Sequence, residues 1–105
     1  MIFIPSGSFC LIIDLATVKR ALKALYNHLS DDGILLLEIE TLKSLPPLDI
    51  WRGSVWRKSN GQMIVLSHFA NFNDNICNSI GKYELVHDNS IIQTEVEELK
   101  VRIYE

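Results

Sequence analysis

The sequence predicts an α/β chain in two parts, a parallel strand–helix–strand crossover followed by an antiparallel meander of three to four strands. Three observations carry this. Leu15, Val18, Leu22, Leu25, Tyr26 and Leu29 recur at steps of three and four, the stripe of an amphipathic helix. The run Ile34 to Ile39 follows almost at once and is continuously apolar, as suits a strand covered on both faces of a parallel sheet. From Ser54 onward, four stretches with strand character are separated by turn-forming clusters of Asn, Asp, Ser and Gly.

Met1 to Ile4 is the first strand, and Pro5-Ser6-Gly7-Ser8 breaks it. Asp14 can cap the helix by accepting from free amides of its first turn. Lys19, Arg20 and Lys23 lie off the apolar stripe and are expected in water. Gly33 is expected to supply a left-handed residue after the helix. Residues 42–53 read as a loop, because Pro46-Pro47 ends regular structure, and this loop carries Trp51. The meander then runs Ser54 to Lys58, Gln62 to Phe72, Ile76 to His87 and Ile91 to Tyr104. Ser59-Asn60-Gly61 between the first two is a strong hairpin turn, since Asn and Gly tolerate positive φ. Glu95-Val96-Glu97-Glu98 could suggest a helix, but the period-two pattern beyond it favours a strand. The expected organisation is one domain, with crossover 1–41, loop 42–53 and meander 54–105. A strand that opens at the first residue and a chain that stops at Tyr104-Glu105 suggest a piece of a larger fold.

Composition bounds the rest. A chain of 105 residues suffices for one small domain. At 48% hydrophobic and 22% charged it is globular, and a net charge of −3 with scattered Lys and Arg argues against a nucleic-acid partner. No apolar run reaches the roughly 18 residues of a membrane span. The start lacks a basic leader and cleavage site, so a cytoplasmic location is expected. Cys10 and Cys77 read as reduced, buried thiols. No catalytic triad spacing, phosphate loop, Cys-x-x-Cys pair or metal-ligand spacing occurs, which removes hydrolase, kinase and zinc-protein readings.

The segments "FIPSGSFCLI" and "LYNHLSDDGILLLEIET" resemble the second half of class I S-adenosylmethionine-dependent methyltransferases. Leu29 to Glu38 fills that family's apolar-Leu-x-x-Gly-Gly-x-apolar-acid pattern, with Asp32 where the first Gly is usual. The meander is similar to the antiparallel insertion of a subgroup acting on small molecules, amino-sugars among them. The resemblance implies a partial Rossmann-like fold, S-adenosylmethionine as the cofactor of the parent family, and a small-molecule substrate. It places Ser6, Gly7, Ser8 and Phe9 facing the methyl donor; the plainer alternative is a turn followed by a core Phe. The family's glycine-rich loop is missing: of five glycines, none forms a Gly-x-Gly pair. The chain alone is therefore expected to bind no cofactor and to be inactive. The alternative is a non-catalytic binding or dimerisation module derived from the same fold.

Glu38 and Glu40 share one side of their strand by period two. Such a pair can do acid–base work or bind an amine, with Glu40 the candidate for substrate, or it can fix loops. His68 and His87 are candidate general bases, because imidazole titrates near neutrality. His28 sits near a helix end, where the dipole favours a cation. Trp51, Trp56 and Arg57 could wall a substrate pocket or simply pack a sheet edge. The open edge of the Met1–Ile4 strand, or exchange of the meander, is expected to produce a homo-oligomer.

Overall fold

The computed structural model describes residues 1–105. It is an α+β arrangement with a two-stranded parallel sheet and a four-stranded antiparallel one. The chain divides into two compact units. The first holds Met1–Leu45, Asn73–Cys77 and Lys100–Glu105; the second holds Pro46–Phe72 and Asn78–Leu99.

In the first unit, β1 (Ile2–Ile4) pairs in parallel with β2 (Leu35–Leu37), Ile2 opposite Leu35 and Ile4 opposite Leu37. Alternation sets their faces: Ile2, Ile4, Leu35 and Leu37 are half-buried, whereas Phe3 and Leu36 are exposed. Between the strands runs α1 (Leu15–His28). The Asp14 carboxylate accepts from the Thr17 amide at 3.0 Å and the Thr17 hydroxyl at 2.7 Å, as its capping role predicts. These two bonds, the hydroxyl first, hold the Asp14 carboxyl below its usual range. At the other end, the His28 Nδ1 lies 2.7 Å from the Ala24 carbonyl.

The apolar stripe is rotated from its expected setting. Val18 is buried and Ala21, Leu25 and Leu29 are half-buried, while Leu15, Leu22 and Tyr26 are exposed, Tyr26 at 75%. Six apolar residues at these spacings span a broad arc, and only one edge of it is covered. Lys19, Arg20 and Lys23 face water.

Gly33 also needs correction: its φ is not positive, and the left-handed glycines are Gly7 and Gly61. The helix ends instead with extended Leu29, whose amide donates to the Tyr26 carbonyl. Gly33 then donates to the Ser30 carbonyl at 2.9 Å, closing a tight turn. A Cβ there would stand 3.0 Å from the Ser30 oxygen and 3.1 Å from its nitrogen, so the turn brings backbone close and a side chain would have to push the Ser30 backbone aside.

The second sheet follows the order β3-β4-β5-β6, with β3 Arg52–Arg57, β4 Met63–Asn73, β5 Ile76–His87 and β6 Ser90–Arg102. All four anticipated strands are present, with ends shifted by up to two residues. In the β3–β4 pair Arg52 faces His68, Trp56 faces Ile64 and Arg57 faces Met63. Gly61, at φ 87°, donates to the Lys58 carbonyl, and the Asn60 side chain accepts from the Gln62 amide. The other hairpins close through Asp74-Asn75 and Asp88-Asn89, each residue at φ between 49° and 63°. Two successive positive φ values make the tight two-residue turn whose twist matches the flanking strands. Strand β3 and β6 from Ser90 to Lys100 are exposed throughout, and β4 and β5 are mostly half-buried. No helix is long and apolar enough to cross a membrane.

Candidate functional site

The first unit builds its most constrained loop where the parallel strands end, the edge at which such sheets bind ligands. Ser6 and Gly7 follow β1 with φ of 62° and 69°, and the Ser8 amide reaches back to the Pro5 carbonyl at 3.3 Å. A left-handed serine beside a left-handed glycine is uncommon and needs outside support. Both carboxylates of the β2 end provide it. The Ser6 amide donates to Glu38 Oε2 at 2.8 Å. Glu40 packs its carboxylate over Gly7, so that a Cβ on Gly7 would stand 2.6 Å from Oε1.

The Glu40 backbone is tied down as well. Its amide lies 3.2 Å from the sulfur of fully buried Cys10. Its carbonyl accepts from the Tyr104 amide at 2.9 Å, so the end of the chain runs parallel beside Thr41. The Phe9 ring is buried with its centroid 6.5 Å from that of Tyr104. Burial raises the Tyr104 hydroxyl above its usual range, with Cys10 adding to the shift. Period two thus brings Glu38 and Glu40 to one loop, where Glu38 accepts from the Ser6 amide and Glu40 packs over Gly7. Of the four residues matched to a methyl-donor loop, Ser6 and Ser8 are exposed, Gly7 is half-buried and Phe9 lies in the core.

The remaining candidates lie in the second unit and divide between sheet faces. Alternation puts Trp56 and His68 on one side of the β3–β4 pair and Arg57 on the other. The Arg57 guanidinium donates to the Met63 sulfur at 3.1 Å. Trp51 rests against Phe69, with ring centroids 5.3 Å apart. His87 closes β5, its Nε2 3.3 Å from the Asp88 carboxylate and its Nδ1 buried without a partner.

Several grooves mark the meander, among them one of about 270 Å³ beside Arg57 and Met63. One of about 230 Å³ is lined by Lys58, Ile64, Tyr83, Leu85, Gln93 and Glu95. Another of about 340 Å³ lies among Trp51, Arg52, Gly53, Ser67 and Lys82. Arg52 and Lys58 carry no signal of their own in the sequence, although the alternation of β3 aligns both with Trp56. No group of three or more His, Cys, Asp and Glu converges as a metal cluster would.

The sequence matches no protein-family model, and no curated protein matches it. Solved structures do. The sugar N-methyltransferase KedS8 from a Streptoalloteichus species superposes with a TM-score of 0.72 over 98% of this chain, at 14% identity. An S-adenosylmethionine-dependent methyltransferase from Clostridium acetobutylicum superposes with a TM-score of 0.67 over 94%, at 21% identity. The chain has the fold of part of a methyltransferase. It spans 41% and 39% of the length of those two proteins. At these identities the likeness is one of fold. The side of Gly7 where a Cβ would stand is occupied by the chain's own Glu40 carboxylate.

Proposed function

We propose that this chain is the substrate-side portion of an S-adenosylmethionine-dependent methyltransferase that modifies a nitrogen or oxygen of a small molecule, and that it is inactive by itself. The observation that carries this reading is the fold match: nearly the whole chain, crossover and meander together, follows two-fifths of a sugar N-methyltransferase. Methyl transfer depends on aligning the acceptor and, for a protonated amine or a hydroxyl, on removing a proton. In this chain His68 is the better candidate base, since it shares a face with Trp56 and stands opposite Arg52. His87, held beside Asp88, is the second. Trp56 would contribute a wall for the acceptor on the His68 face, and Glu38 and Glu40 would shape the Ser6–Gly7 loop.

The polypeptide matching the other three-fifths of such enzymes would join the first unit on the free edge of β1 and the exposed Phe3–Leu36 face. Calorimetry at millimolar S-adenosylmethionine tests the reading: the chain alone should give no heat of binding. A dissociation constant in the low micromolar range would mean that the chain holds a complete site, and the reading would fall. A non-catalytic binding module is the second reading, favoured by the long exposed edge of β6.

A further inference from the structure

The meander ends in β6, the outermost strand of its sheet and, at 13 residues, the longest element after α1. Its residues are exposed from Ser90 to Lys100, with Ile91 at 57%, Ile92 at 54% and Val96 at 67%. A long edge presents unpaired amides and carbonyls, and monomeric proteins usually blunt such an edge with Lys, Pro, a bulge or a short strand. Between Ser90 and Leu99 there is neither Lys nor Pro. By contrast β1 offers a free edge of only three residues.

We propose that β6 pairs antiparallel with β6 of a second copy of this chain, across a two-fold axis at Thr94, so that the two meanders form one continuous sheet. The register follows from the charges. In a two-fold antiparallel pair facing residues lie on the same side of the sheet, so the strand can meet itself only in steps that keep that parity. Centring on Glu95 or Glu97 sets a carboxylate directly against its own copy. Centring on Val96 sets Glu95 against the partner's Glu97. Like charges directly opposite are destabilising.

Centring on Thr94 avoids every such clash. Ile92 then faces the partner's Val96 on both sides of the axis, Thr94 faces the partner's Thr94, and Gln93 faces the partner's Glu95. Apolar, threonine and amide–carboxylate pairs of this kind are the favourable cross-strand ones. Within one chain the Gln93 amide already donates to the Glu95 carboxylate at 2.8 Å, so both side chains lie on the same side and within reach of that exchange. Moving the axis back to Gln93 also avoids carboxylate contacts, but it shortens the pairing and loses the Ile92–Val96 match.

Light scattering of the full chain across micromolar concentrations should show a dimer. Thr94→Cys should form an interchain disulfide with oxidised glutathione, because only a residue on the axis meets its own copy; Glu95→Cys, which faces position 93, should crosslink far less. The native thiols do not compete, as Cys10 and Cys77 are buried. Val96→Lys should raise the dimer dissociation constant about tenfold or more while circular dichroism stays unchanged. If that variant loses its strand signal, Ile92→Lys at the facing position takes its place. A monomer at all concentrations overturns the proposal. So does a dimer in which Thr94→Cys fails to crosslink, or which the lysine variant leaves equally tight.

Discussion

Phe9, Cys10, Val18, Cys77 and Ile103, all from the first unit, are buried to 5% exposure or less, whereas among the apolar residues of the second unit only Ala70 is. The first unit has short strands and a packed interior: β1 and β2 are three residues each, yet α1, the Phe9–Cys10 turn and the end of the chain close around them. The second has strands of six to thirteen residues and ladders of backbone hydrogen bonds, but its outer strands lie open to water. Apolar burial contributes in proportion to the area withdrawn from water, at about 25 cal/mol per Å². Equivalent apolar side chains therefore carry very different weight in the two units.

The largest effect should come from truncating the packed interior. Phe9→Ala should cost about 3–5 kcal/mol, a large share of the stability of a small domain. The matching truncation in the meander, Val55→Ala at a half-exposed position of β3, should stay within about 0.5 kcal/mol. Equal denaturant midpoints for the two variants would break the comparison.

Next comes Gly33→Val, at about 1–3 kcal/mol, because the new side chain must push against the Ser30 backbone instead of a flexible side chain. Urea titration reads it directly, and an unshifted midpoint would mean that the Ser30–Gly33 turn opens freely.

The smallest effect is at the Asp14 cap. Its folded pKa lies below the ordinary value of 3.8, so its contribution is fully present above that value and fades as pH falls through the lowered one. Asp14→Ala should thus lower the melting temperature at pH 7 by less than Gly33→Val does. The gap between Asp14→Ala and the parent chain should narrow below pH 3.8. A gap independent of pH would show that the carboxylate is not the cap.

Much of the fold was legible because it rests on residues near one another in sequence. Asp14 with Thr17, and the Asp-Asn pairs at 74–75 and 88–89, act over two to four residues, and their chemistry is written locally. The alternation of β6 outweighed its glutamates' suggestion of a helix. The candidate site was half legible. Period two placed Glu38 and Glu40 together, but nothing local told that both would be spent on the Ser6–Gly7 turn. Trp56 and Arg57 are neighbours in sequence and sit on opposite faces, which the alternation alone implies once the strand is known.

The sequence by itself determined the element order, the helix cap and the places where the meander turns, because φ preferences and capping depend on a residue and its immediate neighbours. Only the tertiary structure decided which edge of the helix stripe is covered, that Gly33 serves close approach and not a left-handed turn, and that Tyr104 closes beside Glu40. Those outcomes depend on partners tens of residues away, and burial is settled by what packs against a side chain.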